Sequence, residues 1–315
     1  MDDVVSAMLR RLDAEFPVVQ QMTAVEARAA VAARRQPELN PDDVDEIIDH
    51  EIYGPGGRIS VRIYRPHRCG GAAVVFYHGG GFVFCDIDSH DGFCRALARH
   101  TSVVVLSIGY RLAPEHPAPA AAEDAFTAFR WAVEHAVELD IDPRRVAVAG
   151  DSAGGNLAAV TAIQCRSRGG PMPAAQVLLY PVIDPAFDTE SYHSRATGYF
   201  NTREAMQWYW HQYLGGSALP EPPWLVAPAR AKSHIGLPPA LVVTAELDPL
   251  HSEGVAYARR LRAAGVPVVH RDFPSLFHGF LTMMPFAPGA SARELLWTDL
   301  RELLTAAPLI TRQER

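Results

Sequence analysis

The first forty residues carry a helical period. Val5, Met8, Leu9, Leu12 and Phe16 recur three and four positions apart, which puts them on one face of an α-helix. Thr23, followed three residues on by Glu26, matches a capping box, so an Ala-rich second helix is expected to begin there and to end before Pro37. Strand signal starts near Ile47. Ile59, Val61 and Ile63 then alternate with Ser60 and Arg62, as in a half-buried strand. Gly54, Pro55, Gly56 and Gly57 mark a turn between the two stretches, which predicts an antiparallel hairpin.

From residue 72 onward, short continuous apolar runs alternate with longer helical stretches. The runs predict strands at 72–77, 102–108, 145–149 and 176–180, with helices at 88–99, 118–138 and 153–168. Strands that are apolar on both faces are covered on both faces. The alternation predicts an α/β protein with a mostly parallel central sheet and helices on either side. The pattern breaks at Pro181 and resumes near Pro239. The segment between is dense in aromatic residues, among them Phe187, Tyr192, Phe200, Trp208, Tyr209, Trp210 and Tyr213. A strand at 240–244, a helix at 251–264, a strand at 266–273 and a last helix around 291–305 complete the chain.

Composition narrows the function classes. The 315 residues are 48% hydrophobic and 21% charged, as in a globular protein, and allow one large α/β unit with an accessory element. The apolar runs fall far short of the ~18 residues of a membrane span. The amino terminus carries Asp2, Asp3, Arg10 and Arg11 with no signal-peptide apolar region, so a cytoplasmic location is expected. A net charge of −7 argues against a nucleic-acid partner. Lys232 is the single lysine in a Lys+Arg total of 29 and follows Ala231, which excludes a P-loop. The 4 cysteines form no C-x-x-C pair, so neither a disulfide framework nor a structural zinc site is expected. The acidic run from Asp86 to Asp91 fails as a calcium loop: Asp91 stands where glycine is needed and Leu97 where a bidentate glutamate is needed. Its expected role is structural or capping rather than metal binding.

Candidate chemistry begins at Gly150-Asp151-Ser152-Ala153-Gly154, between a predicted strand and a predicted helix. That context fits a G-x-S-x-G nucleophile elbow, with Ser152 as nucleophile. A serine hydroxyl needs a base, and the base needs an orienting group. In an elbow of this kind the acid and then the histidine follow in chain order, each after a late strand. Asp248 and His278 satisfy that order. Glu246 is a rival acid, set closer to the strand. A second requirement is donors for the oxyanion of a tetrahedral intermediate. His78-Gly79-Gly80-Gly81-Phe82 follows the strand at 72–77, where an H-G-G-G loop belongs, and Ala153 follows the nucleophile.

These motifs, with Tyr110-Arg111-Leu112-Ala113-Pro114-Glu115-His116-Pro117, Tyr180-Pro181, Asp248-Pro249-Leu250 and His278-Gly279-Phe280, resemble the hormone-sensitive-lipase family of bacterial carboxylesterases. The resemblance spans roughly residues 50–306. It implies an α/β-hydrolase fold with a helical cap. The cap would comprise 1–45 and the insertion 185–236, and the catalytic domain 46–184 and 237–315. It implies hydrolysis of short- to medium-chain acyl esters without a cofactor. Ser152, Asp248 and His278 would be the triad, Gly80, Gly81 and Ala153 the oxyanion donors, and His78 a structural holder of the loop. Ser275 departs from the pattern, standing where the family often has glycine ahead of the histidine.

Phe200, Trp208, Tyr209 and Trp210, with Phe82, are candidate pocket residues. The helical spacing of Met206, Tyr209, Trp210 and Tyr213 reads equally well as core. An amidase or deacetylase on the same triad, a non-catalytic small-molecule receptor of the same fold, and an interaction protein using the aromatic insert are the alternatives. A homodimer through the last strand and helix is a further expectation.

Overall fold

The computed structural model describes residues 2–35, 40 and 43–305. Two helices open the chain, α1 (Asp3–Glu15) and α2 (Ala24–Ala32). Thr23 and Glu26 form the expected capping box. The helix stops at Ala32, before Pro37 as expected. Then come β1 (Glu46–Gly54), β2 (Gly57–Arg65), β3 (Ala73–Tyr77), α3 (Asp91–Thr101), β4 (Val104–Gly109) and α4 (Ala120–Glu134). The elbow region holds β5 (Val146–Asp151), α5 (Ala153–Arg168) and β6 (Gln176–Leu179). The aromatic insert contributes α6 (Glu190–Ser194) and α7 (Arg203–Leu214). The chain closes with β7 (Ala240–Leu247), α8 (His251–Ala263), β8 (Val268–Phe277) and α9 (Ala287–Thr305).

The strands form one eight-stranded sheet in the order β1-β2-β4-β3-β5-β6-β7-β8. The β1–β2 hairpin turns at Gly54 and Gly57 as the sequence predicts, and β2 also runs antiparallel to β4. Every other pairing is parallel. Side chains on β3 alternate between two cores. Ala73, Val75 and Tyr77 join the one that includes α4 and α5 residues. Val74 and Phe76 join the one that includes α3 and α9 residues. Both faces are therefore covered, which is why the strands read as unbroken apolar runs.

The sheet order has a functional consequence. The chain leaves β3 toward β4 on one side and returns as β5 on the other. Ligands of open α/β sheets bind at such a switch point, beyond the carboxyl ends of the strands. The glycine loop after β3 and Ser152 after β5 flank that crevice.

Candidate active site

Ser152 is held by a sharp turn between β5 and α5. Its backbone lies at φ 53° and ψ −115°, a conformation that a residue with a side chain adopts only when its surroundings impose it. Neighbouring chain imposes it here. The Ser152 N–H donates to the Leu179 carbonyl at 2.9 Å, and the Val182 N–H donates to the Ser152 carbonyl at 3.1 Å. Gly154 lets α5 press against β3, since a Cβ there would sit 1.8 Å from the Tyr77 carbonyl oxygen.

Beyond β7, Asp248 is fully buried. One carboxylate oxygen accepts the Leu250 N–H at 3.0 Å, and the other lies 2.7 Å from His278 Nδ1. His278 Nε2 lies 3.0 Å from Ser152 Oγ. The three residues, each placed just past a strand end, thus meet in one hydrogen-bonded run. Tyr180 packs its ring against the imidazole at 4.9 Å. Glu246, the rival acid, instead accepts the Ser275 N–H at 2.7 Å, while the imidazole of His278 is bonded to Asp248.

Gly80 and Gly81 line the same cavity as Ser152 and His278. Gly80 has φ +109°, and a Cβ there would meet the Phe84 carbonyl at 2.2 Å, so the loop requires glycine at that point. Ala153 is the first residue of α5, where backbone N–H groups lack intrahelical partners. The loop is anchored from below. Gly79 N–H donates to Asp151 Oδ1 at 2.8 Å, and His90 Nε2 lies 3.1 Å from the same oxygen. Burial pushes the Asp151 carboxyl up, but His90 and the Gly79 N–H outweigh it and hold the group below the usual carboxylate range.

His78 stacks on Tyr110 at 4.3 Å, and the Tyr110 hydroxyl donates to the His78 carbonyl at 2.7 Å. Burial pushes the His78 imidazole down to about 4, from an ordinary 6.5. The unfolded chain therefore takes up this proton before the folded chain does, and stability declines as pH falls from about 6.5 toward 4. Urea unfolding is expected to show a loss of about 3 kcal/mol over that window, reduced in His78→Gln. An equal loss in both proteins would contradict it.

The cavity measures about 250 Å³. Phe200, Met206 and Tyr209 line it from the aromatic insert. Phe82 does not: it is buried and stacked on Tyr213 at 3.8 Å. Trp210 and Tyr213 are likewise core residues, so the helical stripe divides between core and cavity. Leu12, Phe16, Val18 and Val19, in the segment that the resemblance assigns to the cap but not among the residues expected at a pocket, form part of the wall. The helical period of Leu12 and Phe16 is visible in the sequence, but an apolar face looks the same whether it covers a core or a cavity, and Val18 and Val19 fall after that helix. In the acidic run, Asp86 accepts the Ser89 N–H at 2.8 Å, a capping contact, while Arg35 and Arg62 engage Asp86 and Asp88. Among the described residues no helix is long and apolar enough to cross a membrane.

An eight-stranded, mostly parallel sheet with a serine–histidine–aspartate run past its strand ends defines a hydrolase of the α/β class. A family model described as an alpha/beta hydrolase fold matches residues 74–282. The carboxylic ester hydrolase LipN of Mycobacterium tuberculosis is 46% identical over 272 residues, covering 84% of this chain and 71% of that protein. The carboxylesterase NlhH of the same species is 38% identical over 296 residues, covering 91% and 92% of the two chains. A hyperthermophilic esterase from the archaeon Pyrobaculum calidifontis superposes with a TM-score of 0.86 at 36% identity, covering 96% of this chain and 98% of its own. The chain belongs to the alpha/beta hydrolase family, among the esterases of the hormone-sensitive-lipase type.

Proposed function

We propose that the protein is a serine carboxylesterase acting on short- to medium-chain acyl esters, with Ser152, His278 and Asp248 as its triad. The reading rests above all on the hydrogen-bonded run from Asp248 through His278 to Ser152, open to an apolar cavity. Ser152 Oγ attacks the ester carbonyl as His278 Nε2 takes its proton. Buried Asp248 keeps the imidazole in the tautomer with its proton on Nδ1 and stabilises the imidazolium. The N–H groups of Gly80, Gly81 and Ala153 receive the oxyanion. His278 then protonates the leaving alcohol. Water, deprotonated by the same imidazole, cleaves the acyl-enzyme and restores Ser152.

In this reading 46–184 and 237–315 form the catalytic domain, described here to residue 305, and 1–45 with 185–236 form the cap that walls the cavity. A cytoplasmic location, and a homodimer across β8, the terminal strand of the sheet, belong to the same reading.

The cavity sets a size limit. A p-nitrophenyl ester series from acetate to palmitate is expected to peak at the short to middle chains. Palmitate should fall at least about 100-fold in kcat/KM, since a tail too long for the cavity cannot bring its carbonyl to Ser152. Turnover of palmitate equal to that of butyrate would contradict the chain-length reading.

A further inference from the structure

Glu246 is the second carboxylate of the Glu246-Leu247-Asp248 run, and the triad uses only Asp248. The β7–β8 pairing is regular from Ala240 opposite Val268 to Ala245 opposite Phe273, and then skips to Leu247 opposite Phe277. Glu246 therefore stands alone against Pro274, Ser275 and Leu276. A bulge of this kind bends its strand and re-aims the residues that follow, and the residue that follows this strand is His278. The bulge passes through Ser275 at φ +58°. That left-handed backbone is unfavourable for a residue with a Cβ and favours glycine. Ser275 holds it with its N–H bonded to Glu246 Oε2 at 2.7 Å. A hydrogen bond to an ionised acceptor is stronger than one between neutral groups. From the other side Arg195, just past α6, donates through Nε to the Glu246 carbonyl. Glu246 thus joins the aromatic insert, β7 and the histidine-bearing end of β8.

We propose that Glu246 is a positioning residue: its carboxylate holds Ser275 in the left-handed conformation and so sets the strand end from which His278 reaches Ser152. The inference rests on the triad reading above. It gives a purpose to the departure seen in the sequence, because a serine at this point needs an external partner that a glycine does not.

The test is a rescue. Glu246→Ala, Glu246→Gln, Ser275→Gly and the Glu246→Ala/Ser275→Gly double variant are compared with the wild type in p-nitrophenyl butyrate hydrolysis, with circular dichroism to confirm folding. Glu246→Ala is expected to lose roughly 10- to 100-fold in kcat with KM within about twofold, the pattern of a displaced catalytic group. Glu246→Gln, which keeps an acceptor of the same shape, should lose less. Ser275→Gly should work like the wild type, and in the double variant it should restore most of the lost kcat, since glycine reaches φ +58° unaided. A wild-type kcat in Glu246→Ala, or a double variant as slow as the single, overturns the proposal. Ser152→Ala serves as the reference: if it kept wild-type turnover, the triad reading would fail, and this inference with it. Loss of turnover in Ser152→Ala but not in Glu246→Ala would remove this inference alone.

Discussion

Ser152→Ala is expected to lower kcat for p-nitrophenyl butyrate by about 10⁶-fold while the protein stays folded. The size follows from the covalent route. Without the hydroxyl there is no acyl-enzyme, and His278 is left to activate water against a carbonyl placed for serine attack. Binding in the cavity and the loop donors should leave some rate above that in water. Folding should barely change, because the lost contact is one hydrogen bond to an imidazole at a cavity wall, worth about 1 kcal/mol. Steady-state hydrolysis and a urea unfolding curve on the same preparation read both quantities. A loss of less than about tenfold would remove Ser152 from the mechanism.

The largest effect on stability is expected at Gly154. A Cβ there would lie 1.8 Å from the Tyr77 carbonyl oxygen and 2.8 Å from that of His78. Both are backbone atoms at the end of β3, a strand paired on both sides with β4 and β5. No rotamer change relieves the overlap. Either α5 lifts off the sheet or the β3 end moves, and either shift disturbs the elbow and the glycine loop together. Overpacking a core costs 1–3 kcal/mol even where side chains can yield, so Gly154→Ala is expected to cost about 4 kcal/mol or more. Gly170→Ala is the control, since nothing lies within 4 Å of a Cβ there. Urea midpoints should separate the two variants. Equal midpoints would mean that the contact between elbow and strand is looser than described.

The sheet was legible because parallel strands covered on both faces must be apolar throughout, and the runs at β3, β4 and β5 are. The hairpin was legible from the turn at Gly54 and Gly57. The spatial run of Ser152, Asp248 and His278 was legible as an order along the chain, because each follows a strand and strand ends converge in this fold. Element ends were less so. The last helix begins at Ala287, ahead of the expected 291, since Pro288 sits in the first turn, where its missing N–H costs nothing. The strand expected at 266–273 runs instead as Val268–Phe277. Its period breaks at Pro274 and Ser275, and only the pairing with β7 exposes the break as a bulge. That the first 45 residues belong to the cap was legible from the resemblance, but not that Leu12 to Val19 wall the cavity, because what an apolar face covers is decided by packing between segments far apart in sequence. In the sequence alone, Glu246 and Asp248 are rivals for the role of the acid. Telling them apart required knowing which carboxylate reaches the imidazole.

The central claim is that His278 makes Ser152 the nucleophile. Its most direct test is reaction of the wild-type protein with a fluorophosphonate, followed by peptide mapping, with His278→Ala run in parallel. The account predicts a single phosphonyl group on Ser152 in the wild type, and labelling slowed by roughly a thousandfold or more in His278→Ala. Label on another residue, or full ester hydrolysis by protein that takes up no label, would contradict it.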